Sequence, residues 1–382
     1  MTADEGVEYR NRVAIVGAGV TKVVRRSDSS AGDLAVEASL SAIADAGLAP
    51  SDIDGIACGV SLPAYASSAT DKQAGPDASF PPALAYAVMA VATGDAETVL
   101  VNRTLHNPPG RYNSMRSREA HGADQFIAPY GFVAPSSGIA MPYMEYQQRY
   151  GARQEHMATL VVQQRANVQR IPEAYWCGTE LTVDDYMSSR MISEPMCLYD
   201  NDIPVDGSGA VVVTTAERAR DLPHTPVYIT SWAPVHGAPT FLPGTLGPLS
   251  DFYDGGRDVA RRLWGHSGWK PDDVDVIQLY DGFTPLVWFW LETLGFCGDG
   301  EAWQFIQDGH IDADGPFPLN SGGGNQGLGR IHGVPHVLET YLQLAGRAGD
   351  RQTPNARRGL STYATPAHSV GEALRFTTDP DD

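Results

Sequence analysis

Gly47-Leu-Ala-Pro-Ser-Asp-Ile-Asp54 returns later in the chain as Gly268-Trp-Lys-Pro-Asp-Asp-Val-Asp275. The two copies share one glycine, one proline and two aspartates in register, at a constant offset of 221 residues. Each copy follows an apolar helical pattern and precedes an apolar run, which predicts a helix, a glycine stop, a proline turn and a buried strand. A helix-turn-strand unit repeated at this distance predicts two similar α/β halves and not a short-period solenoid.

Composition limits the classes of protein to consider. The chain has 382 residues, of which 42% are hydrophobic, so a packed globular protein of two or three domains is expected. A formal net charge of −19 argues against a nucleic-acid partner, because phosphate binding needs a basic surface. The N-terminus lacks a secretory pattern and no apolar run could span a bilayer, so we expect no membrane insertion and a cytoplasmic location.

The order of patterns predicts the organisation of the chain. Arg12-Val-Ala-Ile-Val-Gly17 predicts a first buried strand. Gly17-Ala-Gly19 does not predict a dinucleotide site, because the third glycine and an immediate helix are missing and the next helix begins near Ser30. We place the two halves at residues 1–225 and 226–382. Residues 104–192 are predicted to be an insertion in the first half that carries binding loops, with a helical stretch at about 144–170.

Several motifs then resemble one family. They are Asp206-Gly-Ser-Gly-Ala210, Leu279-Tyr-Asp-Gly-Phe-Thr284, Leu319-Asn-Ser-Gly-Gly-Gly324 and Gly329-Arg-Ile-His-Gly333. With the order of strands and helices from about residue 12 to about 378, they resemble the thiolase-like proteins, in the sterol-carrier-protein thiolase or lipid-transfer-protein branch. The second and fourth motifs resemble those of aldolases that cleave steroid side-chain acyl-CoA esters. The resemblance implies an α/β thiolase fold with two pseudo-symmetric βαβαβαββ halves in five layers.

The two cysteines of a thiolase have no counterpart here. The family's nucleophile falls within residues 75–82, and its second cysteine within Ser361-Thr-Tyr-Ala-Thr-Pro-Ala-His368, and neither segment contains cysteine. The chain's four cysteines are scattered at Cys58, Cys177, Cys197 and Cys297, without a Cys-x-x-Cys pair that would indicate a zinc site. Acyl transfer through a cysteine thioester is therefore disfavoured.

The resemblance implies that the enolate-binding part of the site is kept. His332 and the turn that contains Tyr280 and Asp281 would stabilise negative charge on a thioester oxygen. Tyr280 is the first candidate for the base of a retro-aldol cleavage, with a core tyrosine as the alternative. Arg330 stands where the steroid aldolases have a second tyrosine, and an arginine can bind substrate but cannot act as a base. Tyr363 is a substitute proton carrier by position alone.

The glycine loop has two interpretations. The resemblance implies that Gly323, Gly324 and Asn325 bring backbone close to the thioester and pantetheine of the substrate. The glycines could also serve only a tight turn that needs positive φ.

Other aldolase chemistries fit the sequence less well. Lys22, Lys72 and Lys270 lie in polar or turn segments, which does not favour a Schiff base. His332 and His336 have helical spacing, but Gly333 and Pro335 between them make a shared helix doubtful, so no metal site is predicted. His336 is expected to start a helix and pack against the core.

Together these observations predict a carbon-carbon lyase that acts on a β-hydroxyacyl-CoA, with a steroid-like or other bulky side chain. We expect no cofactor apart from the CoA of the substrate. The resemblance also implies a homodimer and a small partner protein of OB-fold and zinc-ribbon type. Two alternatives remain open: an acyl-CoA or lipid carrier or scaffold without chemistry, and an acyltransferase that uses one of the four cysteines.

Overall fold

The structure is a computed structural model that describes residues 9–58, 80–106, 125–126, 128–132, 134–235, 247–265, 268–367 and 371–382. Eight strands of the described chain form one mixed sheet. They are β1 (Val13–Val20), β2 (Gly55–Cys58), β3 (Thr98–Leu105), β6 (Gly207–Thr215), β7 (Val227–Pro234), β8 (Val276–Gln278), β9 (Arg358–Tyr363) and β10 (Glu372–Thr377). A separate hairpin contains β4 (Met191–Ser193) and β5 (Met196–Cys197).

The sheet has a pseudo-symmetric strand order. The strands are hydrogen-bonded in the order β2-β3-β6-β1-β7-β10-β9-β8, so β7, β10, β9 and β8 repeat the arrangement of β1, β6, β3 and β2. The outermost pair is parallel on both sides, and the pairs between are antiparallel. The halves meet where β1 pairs with β7. The predicted internal duplication is confirmed, because each half contributes four strands in matching order.

The repeated segment is duplicated down to its hydrogen bonds. Asp54 accepts a bond of 2.8 Å from the backbone N–H of Thr98 on β3. Asp275 accepts a bond of 2.8 Å from the backbone N–H of Arg358 on β9. Before these aspartates, each copy forms a 3-10 helix, at Pro50–Asp52 and Pro271–Asp273. The shared aspartates therefore bond each repeated segment to the backbone of a neighbouring strand, β3 in the first half and β9 in the second.

Helices cover both faces of the two groups of strands. The described helices are α1 (Ala31–Asp45), α2 (Phe80–Ala92), α3 (Pro135–Tyr150), α4 (Gln154–Asn167), α5 (Val183–Met187), α6 (Ala216–Ala219), α7 (Leu249–Gly265), α8 (Pro285–Leu294), α9 (Ala302–Gln307), α10 (Gly324–Gly327) and α11 (Val334–Leu344). α11 contacts α2 and strands of both halves, so these two helices form the central layer. α1 packs on the first group of strands and α7 on the second, which completes the five layers. None of the described helices is both long and apolar enough to cross a membrane.

The packing of α1 explains the glycines of β1. Ser30 caps the helix by accepting a bond of 3.2 Å from the backbone N–H of Asp33, so the predicted helix start is confirmed. A Cβ on Gly17 would overlap the backbone carbonyl of Ala42 on α1. The glycine therefore serves close packing of helix and strand.

The insertion differs from the prediction in one respect. The single helical stretch predicted for about 144–170 is wrong, because α3 and α4 are separate helices. Gly151 ends α3 in the left-handed conformation, with φ of 73°. α4 then packs against α10 of the second half, and this contact brings the insertion to the glycine loop.

Candidate active site

Two tyrosines from separate segments meet beyond the strand ends of the second half. Tyr280 follows β8, and its backbone N–H donates a hydrogen bond of 2.8 Å to Thr362 Oγ1 on β9. The Tyr363 ring lies edge-on to the Tyr280 ring, with 5.1 Å between the ring centroids. Only 8% of Tyr280 is exposed. The structure thus brings together the two tyrosines that the sequence suggested as proton carriers.

Burial controls the protonation of Tyr280. The pKa of its phenol is raised well above the ordinary value, chiefly by burial and further by the neighbouring Tyr363 and the carboxyl of Asp202. The phenol therefore stays protonated at neutral pH. In that state it can donate a hydrogen bond, and its predicted role as the base stays a prediction.

Asp281 ties the tyrosine turn to the glycine loop. It is fully buried, and its Oδ1 accepts bonds from the backbone N–H of Asn325 at 2.8 Å and from His336 Nε2 at 3.0 Å. Its Oδ2 accepts from the backbone N–H of Gln326 at 3.1 Å and from Gln164 Nε2 at 3.0 Å. Four donors thus surround this carboxylate, an arrangement that suits positioning. The predicted catalytic role of Asp281 stays a prediction.

The glycine loop is packed tightly against protein atoms. Gly323 and Gly324 have φ of 79° and 58°, which favours glycine. A Cβ would overlap Val168 at the first position and the Asp281 carboxylate at the second. The need for glycine is therefore explained by the turn and by these two contacts, while a role in binding pantetheine stays a prediction.

Asn325 is fully buried. Within the described part of the chain, neither polar atom of its side-chain amide has a hydrogen-bond partner. Its predicted contact with substrate remains a prediction.

His332 is held as a neutral hydrogen-bond donor. It has φ of 38°, a left-handed conformation that is unusual for histidine, and its Nδ1 lies 3.1 Å from Nη2 of Arg103 on β3. Because a guanidinium only donates, Nδ1 must accept this bond. Burial, with Arg330 and Arg103 nearby, lowers the pKa of His332 to about 3. The ring is therefore neutral, its proton lies on Nε2, and that N–H can donate to an oxygen of a ligand.

Arg330 faces a carboxylate that sequence reasoning did not single out. Its Nε lies 3.8 Å from Oδ1 of Asp202, and the two side chains are 12% and 7% exposed. The pKa of Asp202 is raised to about 7, chiefly by burial and to a smaller extent by Asp281, while Arg330 opposes the rise. Asp202 is therefore a carboxyl group that can exchange a proton near neutral pH.

The missed residues gave little signal in the sequence. Arg103 is a charged residue that closely follows the apolar run 99–101 within β3, which hints at a buried partner. Asp202 lies among other acidic residues before Val205, and nothing in that pattern says which carboxyl faces the site. Gln164 lies on a helix of the predicted insertion, and its contact depends on how that helix packs.

The lysines and several other histidines are exposed or lie outside the described residues. Lys22, Lys270 and His106 are exposed. Lys72, His121 and residues 75–79, where the first thiolase cysteine would begin, lie outside the described residues, as does His368. His336 is fully buried near the start of α11, as predicted. His332 precedes that helix, so the two histidines do not share one.

Comparisons with known proteins show which family this chain resembles. A family model described as "Thiolase C-terminal domain-like" matches residues 252–373. The chain is 36% identical over 355 residues to 17-hydroxy-3-oxo-4-pregnene-20-carboxyl-CoA lyase of Mycobacterium tuberculosis, covering 88% of this chain and 92% of that protein. It is also 36% identical over 357 residues to a steroid side-chain-cleaving aldolase of Thermomonospora curvata, covering 87% and 90%.

A solved structure extends the similarity to three dimensions. The Ltp2-ChsH2(DUF35) aldolase superposes with a TM-score of 0.87 at 32% identity, covering 97% of this chain and 98% of that one. Sterol carrier protein 2 of Bos taurus is a more distant relative, at 25% identity over 393 residues, covering 95% of this chain and 70% of that protein. The chain therefore belongs to the thiolase-like superfamily, in the sterol-carrier-protein thiolase and lipid-transfer-protein branch that includes the steroid side-chain-cleaving aldolases.

Proposed function

We propose that this protein is a carbon-carbon lyase that cleaves a β-hydroxyacyl-CoA thioester by a retro-aldol reaction. The observation that carries the proposal is the neutral His332, which keeps an N–H donor for a thioester enolate, beside the Tyr280 and Tyr363 pair. The names of its relatives at 36% identity, a lyase and an aldolase, support the same reaction class.

The reaction needs one proton to leave an oxygen and one to reach a carbon. A base takes the β-hydroxyl proton, and the O–H electrons become the new C=O bond. The Cα–Cβ bond breaks, and its electrons form the thioester enolate. The enolate then takes a proton at Cα. The products are a carbonyl compound and a shortened acyl-CoA, and no oxidant, reductant or water is consumed.

His332 and Tyr280 supply hydrogen bonds to the two oxygens that change charge. The Nε2–H of His332 donates to the thioester oxygen as the enolate develops, and a donor of this kind contributes roughly 2.7 to 4 kcal/mol in acyl-transfer enzymes. The protonated phenol of Tyr280 donates to the β-hydroxyl oxygen and holds it in place. This differs from the role of base that the sequence suggested, because burial keeps the phenol protonated.

The remaining residues position the substrate. Asp281 keeps the glycine loop against the tyrosine turn. Arg330 borders the substrate and stays protonated, so it orients an oxygen or a phosphate. Tyr363 lies on the side of the Tyr280 ring next to Gly333, which follows His332, and from there it delivers the proton to the enolate carbon.

For the substrate we propose a CoA ester of a steroid side chain with a hydroxyl on the ring carbon that bears the side chain. The name of the Mycobacterium tuberculosis relative specifies such a compound. For the assembly we propose a homodimer that works with a small partner of the DUF35 kind, because the similar solved aldolase contains one.

An acyltransferase is a weaker alternative. Cys197 is buried, and its thiol pKa is raised by burial and by Asp200. Burial also raises the thiol pKa of Cys297. A raised pKa keeps these thiols protonated, whereas a nucleophilic cysteine must be a thiolate.

The variant Tyr280→Phe distinguishes a lyase from a carrier that binds the ester without chemistry. This variant should lower kcat at least 100-fold while substrate binding changes little, because only the hydroxyl that holds the reacting oxygen is lost. Tyr341→Phe is the matched control, since it removes another buried phenol. Tyr341 lies in the C-terminal part of α11, and its oxygen is 3.4 Å from Nη1 of Arg347, which follows that helix. Binding of the CoA ester without cleavage by the wild-type protein would favour the carrier.

A further inference from the structure

The chain returns from the insertion to β6 through residues 197–204, a segment that we call the strap. The backbone N–H of Asp202 donates to the Gly282 carbonyl at 3.1 Å. The backbone N–H of Arg330 donates to the Ile203 carbonyl at 3.4 Å. The strap therefore joins the tyrosine turn to the loop of Arg330 and His332, and Asp202 lies at the junction.

Asp200 anchors the strap in the core. Its carboxylate is fully buried and accepts bonds from the Tyr186 hydroxyl at 2.7 Å, the Thr284 hydroxyl at 2.6 Å and the backbone N–H of Cys197 at 2.7 Å. The Asp200 carbonyl also accepts from the backbone N–H of Thr284 at 3.1 Å. Because Asp200 is held by these bonds two residues before Asp202, the position of Asp202 is fixed by the strap.

Three charged or titratable groups act on Asp202, and they come from two segments, the glycine-rich loop and the tyrosine turn. Arg330, on the glycine-rich loop, is its cationic partner at 3.8 Å. Asp281, in the tyrosine turn, adds negative charge. Tyr280, in the same turn, is near enough for the Asp202 carboxyl to affect its ionisation. Asp202 thus lies within electrostatic range of the phenol that is proposed to hold the reacting oxygen.

The proposed reaction needs a base, and the phenols, His332, Asp281 and Arg330 do not suit that task. A phenol has an ordinary pKa near 10 and is a weak proton acceptor at neutral pH. His332 uses Nδ1 to accept from Arg103 and carries its proton on Nε2. Asp281 already accepts from four donors, and Arg330 stays protonated.

We propose that the Asp202 carboxylate, paired with Arg330, is the base that removes the β-hydroxyl proton from the substrate. This inference rests on the proposed lyase function. The proton passes to Oδ of Asp202, the O–H electrons form the carbonyl bond, and the Cα–Cβ electrons pass to the thioester enolate beside His332. Asp202, from the strap, supplies the proton acceptor that Arg330 cannot provide.

The test is Asp202→Asn, measured by CoA-ester cleavage across pH 5 to 9. For the wild-type protein kcat/KM should rise through about pH 7 and then level, because Asp202 must lose its proton to act. The variant should lose this rise and lower kcat about 100-fold or more, with KM changed much less. Asp206→Asn is the matched control, because it alters another buried carboxylate close in sequence, one that accepts from the Ser27 backbone N–H at 2.9 Å. Its pH profile should keep the wild-type shape.

Two variants of Arg330, the residue paired with Asp202, give an independent result if Asp202→Asn does not fold. Arg330→Met removes the cation and should move the rise of kcat/KM upward by roughly 1 pH unit, whereas Arg330→Lys should move it less. An unmoved rise in Arg330→Met, or a wild-type rate and profile in Asp202→Asn, would overturn the proposal. Since wild-type protein is measured alongside, its own failure to cleave would refute the lyase function, a result that differs from either of these.

Discussion

At the scale of single residues, the protonation state of His332 is set by its surroundings. Burial and two arginines lower its pKa from 6.5 to about 3, so the ring is neutral in the folded protein. The unfolded chain takes up a proton as pH falls through 6.5, and the folded chain does not. Because the unfolded state binds more protons, acidification should destabilise the protein over the window from pH 6.5 to 3.

Replacing this side chain should therefore change both activity and the pH dependence of stability. His332→Asn keeps a residue that tolerates positive φ, and it should lower kcat roughly 100- to 1,000-fold. Between pH 7 and pH 5 the wild-type protein should lose about 2 kcal/mol more unfolding free energy than the variant. Urea denaturation at the two pH values measures this difference. His106→Asn, at an exposed position, is the control and should leave the pH dependence as in wild type; an equal dependence in His332→Asn would refute the neutral ring.

Some site residues could be predicted from the sequence, and others could not. Tyr280 and His332 lie in short motifs, and Tyr363 lies where the family has a second cysteine, so resemblance was enough to find them. Asp202 could not be found, because its position depends on bonds between the strap and Gly282. The protonation of Tyr280 was also not predictable, since it follows from burial and neighbouring charges.

At the scale of elements, the glycine loop and the tyrosine turn form one unit. The Asp281 carboxylate accepts two backbone N–H groups from this loop, and Gly324 lies directly against it. The loop can approach the carboxylate this closely only without a Cβ at that position.

Gly324→Ala should therefore lower the free energy of unfolding by more than a positive φ alone would. We expect a loss of unfolding free energy of about 3 kcal/mol, from the left-handed backbone and the overlap with Asp281 together. Gly346→Ala is the control, because its φ is 71° and a Cβ there would meet nothing within 4 Å, so it should cost only about 1 to 2 kcal/mol. Equal losses in the two variants, measured by chemical denaturation, would show that the contact with Asp281 is not tight.

The elements of the two halves were more predictable than those of the insertion. The matching aspartates of the repeat make the same backbone bonds in both copies, so local sequence was sufficient there. The predicted boundary between the halves at residues 225 and 226 stays a prediction. In the insertion, Gly151 divides the stretch that was predicted to be helical over about 144–170, and the course of the strap depends on tertiary contacts.

At the scale of the whole molecule, the site is assembled from distant parts of the chain. Arg103 comes from the first half, Asp202 from the strap that follows the insertion, and Tyr280, His332 and Tyr363 from the second half. In the proposed reaction, the thiolase-like architecture brings a donor for the thioester oxygen, a donor for the hydroxyl and a base to one place.

The most direct measurement is mass-spectrometric analysis of the products formed from a 17-hydroxylated steroid side-chain CoA ester. The purified protein would be mixed with this ester in the presence and absence of a DUF35-type partner. Retro-aldol cleavage predicts a 17-ketosteroid and a shortened acyl-CoA in equal amounts. Recovery of intact ester under both conditions, or release of free CoA with the carbon skeleton unbroken, would contradict the lyase function.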